Sequence, residues 1–301
     1  MFLQSPQDQM REHHLNSLPS SPPQSTLTLP EDLNAFWGEL DQKGWGAFHD
    51  VMAFSKEGFT FLSFVLFYCP GLMHQALAMV KDHSEKEHLI NQRDPFGHHQ
   101  GWTPLHWASR LYQGQVWVRS LLELGANPLE TCSDGTDDPN DSPAALGLLM
   151  LSFNPRLQQF FAPDMEASED AAQALIEYGS NLAHTNEENM TPLHNGVTVT
   201  PHLVHFLLED PVGASTINAV DIFGNTALTR ALIHNPQLCE ALLDAGADPW
   251  MPLTRKDQAF TSAVDVAEKL LSGDLGSPHS FTKRGTWKSV LERMYPMKNV
   301  N

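Results

Sequence analysis

The sequence has few of the residues that build covalently linked or metal-linked folds. Its 301 residues include three cysteines, Cys69, Cys132 and Cys239, which are far apart and never form a CxxC pair. An odd number of cysteines at this spacing argues against a disulfide framework or a thiolate zinc site and favours a reducing, cytoplasmic setting. We therefore expect free thiols, and where the cysteine stands in an apolar run we expect it to pack as a small hydrophobic side chain.

Basic residues are also scarce. The chain has 18 Lys and Arg against 36 Asp and Glu, which gives a formal net charge of −18, and no run of Lys or Arg occurs. An acidic surface repels nucleic-acid phosphates and anionic lipid headgroups, so binding to nucleic acid is not expected. If the chain binds another protein, we expect that partner to present a neutral or basic surface.

A hydrophobic run long enough for a membrane helix is lacking. The most apolar stretch, from Gly58 to Met73, is shorter than the roughly 20 residues that a span requires, and it contains Pro70. We predict a buried helix here, with a membrane-inserted segment as the alternative.

The first 57 residues differ in composition from the rest. Residues 1–30 are rich in Ser, Pro and Gln and lack the basic and apolar regions of a secretory signal, so we expect a disordered leader. In residues 31–57, Leu33, Phe36, Trp37 and Leu40 recur at helical spacing, which predicts a helical N-terminal cap.

Familiar catalytic motifs are missing as well. The sequence contains no G-x-S-x-G, Walker, G-x-G-x-x-G or H-E-x-x-H motif, and we predict no catalytic residue and no cofactor. Among the fifteen histidines, His202 and His205 could share a metal on one helix face, but no third ligand is apparent, and the adjacent His98 and His99 point apart on most backbones. We therefore predict no metal site.

What the sequence does contain is an internal repeat. The tetrapeptide Thr-Pro-Leu-His begins at Thr103 and again at Thr191, and degenerate copies begin at Ser142, Thr226 and Thr261. The copies at 191, 226 and 261 are 35 residues apart. A second marker is a leucine-rich segment ending in glycine, and it recurs as LLELGANP (121–128), LIEYGSNL (175–182), LLEDPVGAS (207–215) and LLDAGADP (242–249). Two independent markers with one period indicate stacked repeats.

The residue types that recur at fixed positions of the repeat have physical reasons. Thr or Ser before an apolar run is a helix N-cap, and Pro suits the first helical turn, where its missing N–H is not needed. The glycine takes the left-handed conformation that ends the second helix. The segment Asp221–Gly224 predicts a tight turn into the next helix, and Asn189 replaces the glycine of the preceding turn because Asn also tolerates the left-handed region.

These motifs resemble the ankyrin repeat, a helix–turn–helix unit of about 33 residues with a hairpin-like turn. The resemblance covers residues 58–296 and implies an all-α solenoid with short β-hairpin loops. Ile90–Asp94 has the form of the repeat ending Ile217–Asp221 and marks an early, degenerate repeat. The implied units are 58–90 (degenerate), 91–127, 128–182 with insertions at 131–141 and 152–170, 183–217, 218–250 and a capping unit 251–296. His106 and His194 are expected to make structural hydrogen bonds between neighbouring repeats.

The resemblance implies that the chain binds a partner through the concave face and the hairpin tips, and we expect a monomer when the chain is free. Aromatic residues and Arg are frequent interface anchors. The predicted partner-binding residues are Pro95, Phe96, His99, Trp102, Trp107, Arg110, Tyr112, Ile222, Phe223, Arg230 and His234. Packing between repeats is the alternative role for many of them, Trp107 above all, and Phe223 is the strongest candidate.

Three settings remain open for such a protein. It could be a scaffold or inhibitor in its own cell, or a bacterial effector secreted into a host cell, because a Ser/Pro/Gln-rich leader before ankyrin-like repeats resembles such proteins. The third is an enzyme whose catalytic part is 31–92, where His49 and Asp50 lie beside aromatic residues, with the repeats selecting the substrate.

Overall fold

The computed structural model describes residues 58–95, 100–111, 113–132, 144–150, 165–186, 188–253, 260–273 and 280–299. The predicted leader 1–30 and the predicted cap 31–57, including His49 and Asp50, lie outside these residues. The chain forms two compact units, one whose described residues run from 58 to 186 and one whose described residues run from 188 to 299. Each unit is a set of short helices joined by tight turns.

The first unit contains seven helices within its described residues. They are α1 (Phe61–Tyr68), α2 (Met73–Lys81), α3 (Lys86–Asn91), α4 (Pro104–Arg110), α5 (Val118–Glu123), α6 (Ala145–Met150) and α7 (Met165–Glu177). Short 3-10 turns at Pro70–Leu72 and Gln115–Trp117 lead into α2 and α5. Helix α4 packs between α1 and α6, and α5 packs against α7, so helices one repeat apart are neighbours.

The second unit repeats this plan. Its helices within the described residues are α8 (Pro192–Val199), α9 (Val204–Glu209), α10 (Pro211–Ser215), α11 (Ala227–His234), α12 (Cys239–Asp244), α13 (Ala263–Ser272) and α14 (Ser280–Met294). 3-10 turns lie at Pro201–Leu203, Pro236–Leu238 and Tyr295–Asn299. Helix α11 packs between α8 and α13, and α14 covers α13 with the buried side chains of Trp287, Val290 and Met294.

The structure confirms the predicted helical repeat architecture. Thr103, Thr191 and Thr226 are the N-caps of α4, α8 and α11, with the extended backbone that a cap requires. Gly125, Gly179 and Gly246 end their helices at positive φ, and Asn189 stands at a φ of 56° in place of glycine. In the described residues the predicted hairpins are tight turns, with one isolated antiparallel bridge between Thr131 and Ala144.

The apolar stretch after Gly58 forms the buried helix that was predicted. All eight residues of α1 are buried, so the helix is apolar on every face. It ends at Tyr68, just before the 3-10 turn that begins with Pro70. In the part of the chain that the structure describes, no helix has both the length and the apolar character to cross a membrane.

Two details of the predicted repeat pattern are wrong. Gly213 does not end a helix but lies buried inside α10, because Asp210 accepts hydrogen bonds from Val212 N (2.8 Å) and Gly213 N (3.2 Å) and starts a new helix. The N-cap of α13 is Ser262 rather than Thr261, since Ser262 Oγ accepts from Asp265 N at 3.3 Å. Residues 165–170 of the predicted insertion belong to α7, while the degenerate cap Ser142 lies outside the described residues.

The three cysteines are buried and form no disulfide. Burial raises the pKa of the Cys69 thiol to about 11, and burial followed by the charge of Glu240 raises the pKa of Cys239 to about 12. Both side chains are therefore protonated thiols that pack as small hydrophobic groups.

Candidate partner-binding surface

The two Thr-Pro-Leu-His segments form reciprocal helix caps. Thr103 N donates to His106 Nδ1 (3.0 Å), and His106 N donates to Thr103 Oγ1 (3.5 Å). Thr191 N donates to His194 Nδ1 at 3.2 Å in the same way. Because Nδ1 accepts a backbone N–H, the proton of each neutral imidazole is on Nε2.

The other ring nitrogen links each repeat to the next one. Nε2 of His106 donates to Glu130 O (3.0 Å), and Nε2 of His194 donates to Asn225 O (3.2 Å). Burial, followed by the charge of a nearby arginine, lowers the pKa of His106 to about 3 and that of His194 to about 4. The predicted structural role of these histidines is confirmed.

A second link between repeats uses the asparagine of each repeat ending. Asn91 Nδ2 donates to Gly125 O (3.0 Å) while its Oδ1 accepts from Asn127 N (2.8 Å). Asn218 makes the equivalent pair, with Oδ1 accepting from Asp248 N at 2.8 Å. The two segments that looked alike in sequence therefore make the same contacts in the two units.

In the second unit, the turn between Asp221 and Asn225 is held by a buried carboxylate. Asp221 Oδ1 accepts from Phe223 N (2.9 Å) and Asn225 N (2.8 Å), and Oδ2 accepts from Arg230 Nε (3.0 Å) and Nη2 (2.7 Å). The Asp221 side chain is 0% exposed and that of Arg230 is 16% exposed. This network fixes the backbone of the turn, and it presents Ile222 with 54% of its surface exposed.

The preceding turn supports the same loop. Ile222 N donates to Glu188 O at 2.9 Å, and Asn189 Nδ2 donates to Val220 O at 2.7 Å. Both sides of the loop are thus tied to a neighbouring repeat. The exposed Ile222 side chain stands on a backbone that several hydrogen bonds define, rather than on a loose loop.

The remaining predicted residues of the second unit lie on or beside this turn. Phe223 is half-buried, so Ile222 is the more exposed of the two side chains. His234 is exposed and lies one helical turn beyond Arg230 on α11, hence on the same side of the helix. Asn235 Nδ2 donates to Val197 O (2.7 Å) and so holds this end of α11 against the end of α8.

The first unit uses its aspartate differently. Asp94 Oδ1 accepts from Thr60 N (2.7 Å) and Oδ2 accepts from Trp107 Nε1 (2.7 Å). Burial raises the pKa of Asp94 to about 6 against the lowering effect of these hydrogen bonds. Trp107 thus occupies the position of Arg230, four residues after the N-cap threonine, and the carboxylate bonds to an indole instead of a guanidinium.

Burial corrects part of the predicted binding set. Trp102 is 2% exposed and Trp107 is 0% exposed, and the two rings pack together with centroids 4.8 Å apart. Arg110 is buried as well, at 8% exposure. These three side chains form core between repeats and have little surface to offer a partner. Pro95 is exposed, whereas Phe96, His99 and Tyr112 lie outside the described residues.

Sequence reasoning missed other exposed apolar side chains. Leu129 is 57% exposed and stands four residues after Gly125, in the turn beside Glu130, which is ion-paired with Arg93. The repeat pattern gave no signal for it, because the residues four positions after the glycine in other repeats, Ala183 and Trp250, are also apolar. Val116, Met165, Tyr178, Val212 and Tyr295 are further exposed apolar side chains.

The described residues do not bring metal ligands together. No group of three His, Cys, Asp or Glu side chains with metal-binding geometry occurs among them. His205 Nδ1 lies 2.8 Å from His202 O, which engages that nitrogen with the backbone of its predicted partner. His98 and His99 lie outside the described residues.

Comparisons with known proteins agree with this geometry. A family model described as Ankyrin repeat matches residues 100–133, which include the first Thr-Pro-Leu-His segment and the Gly125 turn. A comparison with curated protein sequences gives no match.

Three solved structures have similar folds. One is a chain in the complex of the predatory endopeptidase Bd0816 from Bdellovibrio bacteriovorus with the immunity protein Bd3460 (19% identity, TM-score 0.51, covering 76% of this chain and 96% of that one). Another is an ankyrin repeat domain (ABAYE2397) from Acinetobacter baumannii AYE (20%, TM-score 0.52, 77% and 95%). The third is the ankyrin repeat domain of Bcl-3, a member of the IkappaB protein family (21%, TM-score 0.52, 80% and 88%). We conclude that residues 100–133 form an ankyrin repeat and that the chain has the ankyrin-repeat fold.

Proposed function

We propose that the chain binds another protein through the turn and helix that carry Ile222, Phe223, Arg230 and His234, which we name the Ile222 surface. Ankyrin repeats are a protein-interaction module, and one of the similar structures is a complex with an immunity protein. The observation that carries the proposal is the exposed Ile222 on a turn fixed by the buried Asp221.

A fixed turn favours binding for a thermodynamic reason. Ordering a loop on association costs free energy, and a loop already ordered in the free protein avoids that cost. The Asp221 network and the bonds to Glu188 O and Val220 O hold the backbone before any partner arrives. An exposed aliphatic side chain on such a turn has the properties of an interface anchor.

The exposed position of Ile222 makes a clean test possible. Ile222→Asp places a charge where a partner would bury an apolar group, and it should leave the fold intact because surface substitutions change stability by about 0.5 kcal/mol or less. Val212→Asp is the matched control, since Val212 is 48% exposed in the same unit but lies on α10.

The experiment is affinity capture from source-cell lysate with the full chain, followed by mass spectrometry and by titration of the captured protein. We expect the Ile222→Asp variant to bind the captured partner at least about tenfold more weakly, as for loss of a buried aliphatic anchor. The Val212→Asp variant should bind like the natural chain. Equal capture by all three proteins would refute the proposed surface.

A further inference from the structure

The charge of Arg230 on the Ile222 surface is paired within the protein. Two nitrogens of Arg230 bond to the same oxygen of Asp221, and the carboxylate has no exposed surface. Arg230 therefore positions the turn, and with 16% of its side chain exposed it offers little surface to an acidic group of a partner.

The two helices beside the turn add no negative charge. The residues of α8 (PLHNGVTV) and α11 (ALTRALIH) include no Asp or Glu, although the chain as a whole carries a net charge of −18. Val199 and Ile233 are half-buried near the helix ends that Asn235 holds together. The Thr198 hydroxyl is satisfied by His194 O at 3.0 Å. Apart from the Arg230–Asp221 ion pair, the turn and these two helices carry no Asp, Glu, Lys or Arg, and His234 is their exposed ionisable side chain.

We infer that the Ile222 surface binds an uncharged, apolar segment of a partner protein, with an aliphatic or aromatic side chain packed against Ile222. This inference rests on the proposed function and specifies the partner's chemistry. A basic or acidic segment placed here would lose hydration without gaining an oppositely charged partner, whereas an apolar side chain meets no such cost. Of the neutral and basic partner surfaces that the overall charge allows, the local structure favours the neutral one.

A random-peptide phage library provides the probe for this chemistry. The library is panned against the full chain, and binders that Ile222→Asp rejects and Val212→Asp retains are sequenced and synthesised. We expect these peptides to share an aliphatic or aromatic core without net charge. Their affinity should change less than about twofold between about 50 and 500 mM NaCl, because few ion pairs contribute.

The outcomes separate this inference from the proposed function. Peptides that depend on Ile222 but carry net charge, and that weaken severalfold at high salt, would overturn the inference while leaving the binding surface in place. Failure to enrich any peptide whose binding depends on Ile222 would overturn both.

Discussion

Replacing His194 by glutamine should change how the stability of the second unit depends on pH. His194 is fully buried, accepts from Thr191 N through Nδ1 and donates to Asn225 O through Nε2. A proton on Nδ1 would leave the Thr191 N–H without its acceptor. Burial, followed by the charge of Arg230, lowers the pKa of His194 from 6.5 to about 4 in the folded protein.

The direction in which stability changes with pH follows from proton linkage. Between pH 6.5 and about 4, the unfolded chain holds a proton on this histidine that the folded protein does not, so falling pH favours unfolding. The contribution is up to about 1.4 kcal/mol per pH unit, or about 2 kcal/mol between pH 6.5 and pH 5. It is fully present above pH 6.5 and is lost as the pH falls towards 4.

Glutamine does not titrate, so the variant lacks this pH-dependent contribution to stability. At pH 7, His194→Gln should be less stable by about 1–3 kcal/mol, because the cap and the bond between repeats are weakened. At pH 5 that difference should shrink by about 2 kcal/mol. Urea unfolding at a series of pH values, with hydrogen exchange of α8 amides to identify the unit, measures both quantities. Parallel pH profiles for the two proteins would refute this reasoning.

Other substitutions test the core contacts. Asp94→Asn should remove a pH dependence of opposite sign. Because the pKa of Asp94 is raised from 3.8 to about 6, the natural chain loses up to about 3 kcal/mol of folding stability as the pH rises through this range. Urea unfolding at pH 4 and pH 7 would show whether the variant lacks this loss. Gly114→Ala should destabilise the protein by about 1–3 kcal/mol, because the added Cβ would lie 2.8 Å from backbone atoms of α4. Gly71→Ala is the control, since a Cβ there would have nothing within 4 Å. Equal melting temperatures for the two variants would argue against the close packing of Gly114 on α4. Arg230→Met should cost about 3–5 kcal/mol of stability, because it leaves the Asp221 charge buried and unpaired. Adding Asp221→Asn should recover part of the lost stability. If thermal unfolding showed no recovery in the double variant, that would argue against a stabilising ion pair.

The helix boundaries could be predicted from sequence where local chemistry decides them. Thr103 and Thr191 cap their helices because a threonine side chain satisfies backbone N–H groups within the same turn. Gly125 and Asn189 adopt the left-handed backbone because few other residues tolerate it. Gly213 was misread because the Asp210 cap started a new helix there, so one local signal overrode another.

The candidate surface was harder to predict because burial depends on what the neighbouring repeat supplies. Trp107 and Arg230 occupy the same position in their repeats, yet Trp107 is enclosed by Trp102 and Phe59 while Arg230 lies at the edge of the surface. Aromatic residues and arginine are common in both cores and interfaces, so residue type alone does not separate these roles. The exposure of Ile222 next to a half-buried Phe223 depends in the same way on how the turn folds.

The most direct test of the central claim is the affinity of a captured partner for three forms of the full chain: natural, Ile222→Asp and Val212→Asp. We expect the dissociation constant to rise at least about tenfold for Ile222→Asp and to stay unchanged for Val212→Asp, with circular dichroism showing all three folded. Equal dissociation constants for the natural chain and Ile222→Asp would contradict the claim that this turn carries the binding site.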